Sequence, residues 1–371
     1  MPESYIEPLT DRQQCFKCHT KVTGKKKLLK CGNCEAITYC SKECQKEDWP
    51  RHKWNCLPVM VTEIPEKGRG LVASRDIKMG ELIFKEKPSI KLPWNPTGPA
   101  FMTLLKDQVE NLPMEAKSQF FKLKPRTYDD ARGDPNMSSV YEHVASNTIQ
   151  IDYKVFQLFV GNSGIGNEEH LFTDSPDPVP RKMCFLHLNL ALVNHSCAPN
   201  AAIGCLKLEE EENCLELRAI KDISKGEEVN TCYFSDVKKY GSIQRKRKTG
   251  MKKELQFDCK CSVCLGKVPC QEKILKKLIE LYNKLDPTPS DWKRDASIQD
   301  KIAGFTLQLY MGTPEEKYKA LLRLAVSANF AGDQGLLRKA LDNLEQLAED
   351  TKLDVVQRLY DKLVIEYASV D

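Results

Sequence analysis

Cysteine and histidine pairs at short spacings dominate one N-terminal part of the chain. Two C-x2-C pairs, one C-x3-C pair and one H-x3-C pair occur between positions 15 and 56. A C-x2-C pair forms a tight knuckle that aims two thiolates at one ion, and ligands four residues apart share one face of a helix. Eight such ligands predict two closed tetrahedral zinc sites, which are structural and not catalytic. The eight side chains are Cys15, Cys18, Cys31, Cys34, Cys40, Cys44, His52 and Cys56.

A second cysteine group lies far downstream and lacks a fourth ligand nearby. Its three members are Cys259, Cys261 and Cys264. Spacing alone does not choose a partner for them, so a third zinc site has several candidate fourth ligands. These candidates are Cys184, Cys197, Cys205, Cys214, Cys232 and Cys270.

The composition excludes several classes of protein. The chain has 371 residues, 41% of them hydrophobic, which suits two or three globular domains. No run approaches the roughly 18–20 apolar residues of a membrane span, and no secretory signal pattern opens the chain. We therefore expect a protein of the cytoplasm, the nucleus or both, with no membrane partner and as a monomer. In such a compartment 16 cysteines indicate metal and not disulfides.

Charge is unevenly distributed. The whole chain carries a net charge of only +4, but residues 15–56 contain ten Lys or Arg against four Asp or Glu. An ordinary solvated surface explains this excess of positive charge. The more specific alternative is a patch that binds phosphate or acidic partners. Nucleic acid binding is a weaker alternative, because the familiar DNA-reading finger spacing and recognition helix are missing.

The elements that must position these groups change character along the chain. Glycine-broken alternating runs predict strands over 61–88, and β-branched or alternating runs predict strands further on. Start and stop signals predict two helices inside an insertion. From about 271 the apolar period becomes 3.6, which predicts antiparallel helix pairs of a tetratricopeptide-like kind. The predicted elements are strands at 201–206, 214–220 and 227–234 and helices at 101–111, 113–123, 336–348 and 355–367, with a capping box at 313–316.

Four pieces of sequence together resemble one family. Residues 39–56 (YCSKECQKEDWPRHKWNC) resemble the MYND finger. Residues 68–70 (GRG), 194–200 (NHSCAPN) and 226–234 (GEEVNTCYF), with the downstream cysteines, resemble the SET domain. The combination is similar to the SET- and MYND-domain (SMYD-type) protein lysine methyltransferases.

The resemblance implies an α+β fold with four parts. These are a MYND zinc finger at 15–56, a β-rich SET domain at 60–240 with a helical insertion at about 95–150, a post-SET zinc segment at 241–268, and a helical domain at 271–371. It implies S-adenosylmethionine and three zinc ions as cofactors. The implied ligand sets are Cys15, Cys18, Cys40 and Cys44; Cys31, Cys34, His52 and Cys56; and Cys197, Cys259, Cys261 and Cys264.

The same resemblance assigns roles in methyl transfer. Tyr233 matches the tyrosine whose hydroxyl lies at the methyl-transfer point, and Phe257 matches the aromatic residue that stacks on adenine. The other implied cofactor contacts are Lys67, Arg69, Asn162, Asn194 and His195. The implied partner is a protein or peptide lysine, histone or non-histone, and MYND fingers imply proline-rich peptides as a second partner. Trp49 and Trp54 suit such a peptide site, but packing under the finger explains them equally well.

Two departures from the family, the position of the finger and Leu255, keep a rival hypothesis open, and the shorter helical domain is a further difference. The finger precedes Gly68, whereas in well-known members it is inserted after that strand. Leu255 stands where those members carry a tyrosine of the lysine channel, and the helical domain is shorter. The rival is a scaffold that binds cofactor weakly or not at all and recruits partners through its finger. Tyr233, Asn194 and His195 argue for the enzyme.

Overall fold

The computed structural model describes most of the chain, in segments. These are residues 14–21, 28–53, 56–95, 100–125, 140, 142, 144–145, 154–155, 157–159, 164–167, 182–206, 214–233, 258–267, 272–286, 288–309 and 314–367. The described residues fall into two compact units. One unit lies within 86–192, and the other lies within 7–85, 193–250 and 258–371.

The first unit combines a small sheet with helices. Strands β6 (Ile90–Pro93), β7 (Gly164–Asn167) and β8 (Lys182–Leu186) pair in the order β6-β8-β7. Helices α2 (Phe101–Glu110) and α3 (Met114–Phe121) were both expected within one residue or two of these limits. Apolar side chains of the helices and strands form one core, among them Ile90, Leu92, Phe101, Phe120 and Phe159. Burial of these apolar side chains stabilises the fold of this unit.

The second unit begins with the finger. A short hairpin of β1 (Leu29–Lys30) and β2 (Thr38–Tyr39) leads into helix α1 (Lys42–His52). The Ser41 side chain caps this helix by accepting the Cys44 backbone N–H at 3.2 Å. Inside the finger, the buried Tyr39 hydroxyl donates to the Asp48 carboxylate at 2.8 Å. Burial and this carboxylate raise the pKa of Tyr39.

Two further sheets follow in the second unit. Strands β3 (Val59–Ile64), β4 (Gly68–Ala73), β9 (Asn194–His195) and β12 (Glu228–Thr231) form a sheet of order β3-β4-β12-β9, in which only β9 and β12 run parallel. Strands β5 (Leu82–Glu86), β10 (Ala201–Leu206) and β11 (Cys214–Ala219) form the other. The strand predicted at 227–234 is shorter in the structure. It ends at Thr231, and beyond it the Tyr233 backbone N–H donates to the ring of His195, a residue of strand β9.

Helices complete the second unit, as the 3.6 periodicity from about 271 predicts, although the helix over Trp292–Gln308 was not predicted individually. They are α4 (Glu272–Tyr282), α5 (Trp292–Gln308), α6 (Pro314–Ala331), α7 (Gln334–Thr351) and α8 (Asp354–Tyr367). Side chains of these helices share one apolar core, and the α6–α7 turn contains Gly332 at a φ of +68°. The predicted capping box begins at Thr313, which lies outside the described residues. Among the helices that the structure describes, none is long and apolar enough to cross a bilayer.

The helical core reaches strand β10 through a close contact. Ala202 of β10 belongs to the helical core, and a Cβ built on Gly204 would lie 2.8 Å from the Leu353 side chain. Leu353, which is 2% exposed, lies in the α7–α8 turn after Lys352 (φ 50°). The glycine in β10 therefore lets the helix turn pack directly on the strand.

Candidate active site and metal centres

The first finger cluster consists of Cys15, Cys18, Cys40 and Cys44. Their sulfur atoms all lie within 4.8 Å of one another, with Cys18 to Cys40 at 3.6 Å and Cys40 to Cys44 at 3.5 Å. A tetrahedral zinc with bonds of about 2.3 Å places its sulfur ligands about 3.8 Å apart. The spacing therefore fits one zinc ion held by four thiolates.

The second finger cluster consists of Cys31, Cys34, His52 and Cys56. Cys31 Sγ lies 3.6 Å from Cys56 Sγ, and Cys34 Sγ lies 3.6 Å from His52 Nε2. All four side chains are buried, whereas the first cluster is partly exposed. Helix α1 connects the two clusters, because Cys44 lies in its first turn and His52 ends it. The eight helical steps from Cys44 to His52 span about 12 Å.

Three C-x2-C knuckles share one backbone turn. In each, the carbonyl of the first cysteine accepts the N–H of the residue after the second cysteine: His19 at 2.8 Å, Glu35 at 3.0 Å and Leu265 at 2.9 Å. His19 and Glu35 adopt left-handed backbone angles, with φ of 56° and 52°. This turn brings the two thiols of each pair onto the same side of the chain.

The second finger cluster is fastened to the sheet that follows it. Arg75 and Ser74 lie just after strand β4, and Lys225 precedes strand β12. The contacts are Ser74 Oγ to the Cys34 carbonyl, Arg75 Nε to the Asn33 carbonyl at 2.7 Å and Lys225 Nζ to the Glu35 carboxylate at 2.5 Å. The finger thus packs on the strands even though it precedes Gly68 in sequence.

The third cluster joins two distant segments. Cys197 Sγ lies 3.9 Å from Cys259 Sγ and 3.6 Å from Cys264 Sγ, and Cys261 completes a buried set whose ligand atoms lie within 4.8 Å. Spacing in the sequence left six partners open for the three downstream cysteines. The structure brings Cys197 to them, whereas Cys184 lies buried in the other unit and donates to the Leu92 carbonyl at 3.2 Å.

His195 links the third cluster to the predicted catalytic tyrosine. Its Nδ1 accepts the Tyr233 backbone N–H at 3.1 Å, and its Nε2 lies 3.4 Å from Cys197 Sγ. Because a backbone N–H only donates, Nδ1 must be an acceptor, and the neutral ring then carries its proton on Nε2. Nε2–H can therefore donate to the Cys197 sulfur, in the manner of an outer-shell partner of a metal ligand.

Tyr233 follows strand β12 and lies beside strand β9. Its hydroxyl donates to the Val193 carbonyl at 2.7 Å. Although Tyr233 is 48% exposed, loss of solvation at the phenol, followed by the charge of Glu228, raises its pKa to about 12. The hydroxyl is therefore protonated at neutral pH and offers an oxygen dipole, not a base.

Two of the predicted cofactor residues, Lys67 and Asn194, contact one carboxylate, and the third, Arg69, meets Asn194 through its backbone carbonyl. Lys67 Nζ forms an ion pair with Glu228 Oε2 at 2.5 Å, and Asn194 Nδ2 donates to Glu228 Oε1 at 3.1 Å. Asn194 Nδ2 also lies 3.3 Å from the Arg69 carbonyl. Their contact follows from the sheet, because β12 lies between β4 and β9.

Gly70 leaves room for the Asn194 side chain. A Cβ built on Gly70 would lie 2.6 Å from Asn194 Nδ2 and 2.7 Å from Ile64 Cγ1. No side chain fits there without moving Asn194. The second glycine of the GRG motif is thus required by packing. Gly68, in contrast, has a φ of +79°, and no described atom lies within 4 Å of where its Cβ would be.

Two residues of this site are not evident from the sequence. Glu228 binds Lys67 and Asn194, and the buried Asn200 donates to the Glu228 carbonyl at 2.9 Å and accepts the Asn230 N–H at 2.9 Å. Both belong to motifs already singled out, GEEVNTCYF and NHSCAPN. The available signal was the position of Glu228, an acidic residue two places before Asn230 on β12. This strand lies next to the β3–β4 hairpin, which carries Lys67 and Arg69 and is called the basic hairpin.

Some predicted residues lie outside the described part of the chain. They are Asn162, Phe257, Leu255 and Trp54. Trp49 is described, is 43% exposed and packs its edge on the His52 ring at a centroid distance of 5.9 Å. It therefore both supports the second cluster and presents an aromatic surface.

Comparison with known proteins gives two family matches. The family model described as SET domain matches residues 68–234, and the one described as MYND finger matches residues 15–56. The MYND interval contains both finger clusters, and the SET interval contains Asn194, His195, Glu228 and Tyr233. Lys67 and the downstream cysteines of the third cluster lie outside both intervals.

Named relatives resemble the chain over most of its length. N-lysine methyltransferase SMYD2-B of Xenopus laevis is 25% identical over 84% of this chain and 65% of its own length. Histone-lysine N-methyltransferase Smyd1 of Mus musculus is 24% identical over 93% of this chain and 62% of its own length. Human N-lysine methyltransferase SMYD2 is 26% identical over 79% of this chain and 59% of its own length. The chain therefore spans less than two thirds of the length of these curated relatives.

Proposed function

Because the chain belongs to the SET- and MYND-domain (SMYD-type) family, we propose that it is an S-adenosylmethionine-dependent protein-lysine N-methyltransferase. One observation carries the proposal. The parallel pair of β9 and β12 places Asn194 and His195 next to Tyr233, beside the basic hairpin that bears Lys67 and Arg69. Three separate sequence motifs thereby meet at one end of one sheet.

The residues at this site fit the cofactor's amino-acid end. Lys67 and Arg69 would hold its carboxylate, and Asn194 and His195 would lie along the same group. The Lys67 cation, the Glu228 carboxylate and the oriented Asn194 amide lie together, and such a combination suits a zwitterionic ligand. When bound, the cofactor supplies a methyl group on a sulfonium leaving group. We propose Asn162 and Phe257 as further contacts.

Tyr233 is the residue proposed for catalysis. Its hydroxyl donates to the Val193 carbonyl, which fixes the direction of the O–H bond, and the phenol oxygen is proposed to accept a hydrogen bond from the incoming lysine amine. The pKa of about 12 keeps the phenol neutral, so Tyr233 does not take the amine proton. The lysine must lose that proton before attack, and catalysis consists mainly of aligning the two reactants.

We propose zinc at all three clusters, with a structural role. Each cluster offers four soft or borderline donors and no open position, which is the closed arrangement of structural zinc. The third zinc would hold Cys197 beside His195, and through His195 the Tyr233 backbone. Metal there would support the catalytic residue without touching substrate.

The proposed substrate is a lysine of a protein or peptide, histone or non-histone. The exposed Trp49 supports a second, proline-bearing peptide at the finger. We propose that the protein acts as a monomer in the cytoplasm, the nucleus or both. The ordered contacts of Tyr233 and His195 favour the enzyme over the scaffold.

Cofactor titration followed by a methylation assay tests the proposal. Calorimetry should show binding of S-adenosylmethionine by the full chain, and a lysine-peptide array should show transfer that Tyr233→Phe abolishes or severely reduces. Elemental analysis should find three zinc ions per chain. Absence of cofactor binding by the zinc-loaded wild type would exclude the enzyme and leave the scaffold. Unchanged transfer by Tyr233→Phe would exclude that residue alone.

A further inference from the structure

The Glu228 carboxylate joins the two side chains that the proposed function assigns to the amino-acid end of the cofactor. Its Oε2 pairs with Lys67 Nζ at 2.5 Å, and its Oε1 accepts Asn194 Nδ2 at 3.1 Å. The Glu228 and Lys67 side chains are only 18% and 25% exposed, so solvent screens this ion pair weakly. The two Glu228 carboxylate oxygens therefore contact different side chains, one Lys67 and the other Asn194.

Glu228 is itself held firmly in the sheet. It pairs with Val72 on strand β4, while Asn230, two residues further along β12, pairs with Asn194 on strand β9. Its backbone carbonyl accepts the buried Asn200 side chain at 2.9 Å. The carboxylate thus extends from a backbone fixed on both sides.

Glu228 helps to fix the orientation of the Asn194 side-chain amide. Asn194 Nδ2 donates to two groups that can only accept, the Glu228 carboxylate and the Arg69 carbonyl. The amide nitrogen must therefore face them, which leaves Oδ1 as the acceptor for a ligand. Lys67 has three N–H donors, and the ion pair with Glu228 fixes the direction of one of them.

We propose that Glu228 is a positioning residue for the α-amino-acid group of S-adenosylmethionine, an inference that rests on the proposed function. An α-amino-acid group presents a cationic donor and an anionic acceptor. The corner that Glu228 organises presents the complementary pair, the Asn194 Oδ1 acceptor and the Lys67 Nζ donor. Glu228 acts through these two side chains and not by touching the reacting atoms.

A double-mutant cycle on the zinc-loaded full chain tests this role. The variants are Glu228→Ala, Lys67→Met and the two combined, and the probe is S-adenosylhomocysteine measured by calorimetry. We expect Glu228→Ala to weaken binding about tenfold, the loss that follows when a charged hydrogen-bond partner is removed. Because Glu228 acts partly through Lys67, the combined variant should lose less than the product of the two single losses.

Two controls separate positioning from general damage. Glu227→Ala removes the adjacent carboxylate, which accepts the Asn200 side chain and the Ser224 N–H, each at 3.1 Å. Because these contacts do not involve Lys67, the effect of Glu227→Ala should multiply with that of Lys67→Met. Should Glu228→Ala not fold, Glu228→Gln keeps the shape and removes the charge, and it should show the same non-additive pattern more weakly.

The outcomes distinguish this inference from the proposed function. No binding of S-adenosylhomocysteine by the wild type overturns the proposed function and the inference with it. Binding by the wild type that Glu228→Ala and Glu228→Gln leave unchanged overturns the inference alone. Losses that multiply in the combined variant also overturn it, because they show that Glu228 acts independently of Lys67.

Discussion

Replacing Gly70 with alanine should separate packing from chemistry at the site. The added Cβ would lie 2.6 Å from Asn194 Nδ2 and 2.7 Å from Ile64 Cγ1, closer than carbon atoms pack in proteins. Asn194 must therefore move, although its amide is held by the Arg69 carbonyl and the Glu228 carboxylate. The substitution acts on the predicted cofactor corner without removing any of its side chains.

The magnitude follows from those contacts. Moving Asn194 weakens one neutral and one charge-assisted hydrogen bond, together about 2 kcal/mol. Alanine recovers about 0.5 kcal/mol because it restricts the unfolded chain more than glycine does. The free energy of unfolding should therefore fall by about 1–2 kcal/mol, and affinity for S-adenosylhomocysteine should fall about tenfold.

The same substitution at two other glycines gives matched controls. Gly304 lies inside helix α5, and no described atom outside that helix lies within 4 Å of where its Cβ would be, so Gly304→Ala should raise stability by about 0.5–1 kcal/mol. Gly204→Ala meets Leu353 at 2.8 Å and should lower stability while leaving cofactor affinity unchanged. Urea unfolding and calorimetric titration of the three variants measure both quantities.

A Gly70→Ala variant that matches the wild type in both stability and affinity would refute this account. Weakening of cofactor binding by Gly204→Ala to the same extent as by Gly70→Ala would also refute it. In that case general destabilisation, and not the displacement of Asn194, accounts for the loss.

Three further predictions address the finger, the third cluster and the tyrosine. Tyr39→Phe removes one of the two residues that donate to the buried Asp48, the other being Arg51, and should destabilise the finger by about 1.5–3 kcal/mol. Zinc should then pass faster to a chelator, and release at the wild-type rate would contradict this. His195→Ala should weaken the third site by roughly 10–100-fold, so that one zinc in three becomes labile; equal lability of all three would argue against the His195–Cys197 contact. Loss of solvation gives Tyr233 a pKa of about 12, so the rate of methyl transfer should rise with pH as the substrate lysine deprotonates and should show no loss near pH 10; a downturn there in folded enzyme would refute the assignment.

Much of the fold follows from local sequence signals. The last two helices and the strand at 201–206 appear close to where periodicity and turn residues place them, and each of these helices buries one apolar face. Helix α5 was not predicted individually. The strand expected to reach Phe234 stops at Thr231, and the Tyr233 backbone N–H donates to the ring of His195 and not to a backbone carbonyl. Local alternation does not reveal such a side-chain acceptor.

The site was predictable only in part, because sequence patterns reveal residues that are close together in the chain and not those that the fold brings together. C-x2-C and H-x3-C spacings define ligands that are close in sequence, so the finger clusters could be found directly. Cys197 and Cys264 are separated by 67 residues, and no local rule joins them. Glu228 was missed because its role depends on strand order β4-β12-β9, which brings Lys67 and Asn194 to opposite sides of it.

The position of the third cluster has a consequence for how the protein is made. During synthesis the finger ligands emerge first, and the strand residues that receive the finger follow, with Lys225 among the last. Cys197 is synthesised 62 residues before Cys259 and 67 residues before Cys264, so the third site stays incomplete until both have been added. Metal uptake should therefore be sequential, and a ribosome-bound chain that stops before Cys264 would carry a metallated finger and an unfinished third site.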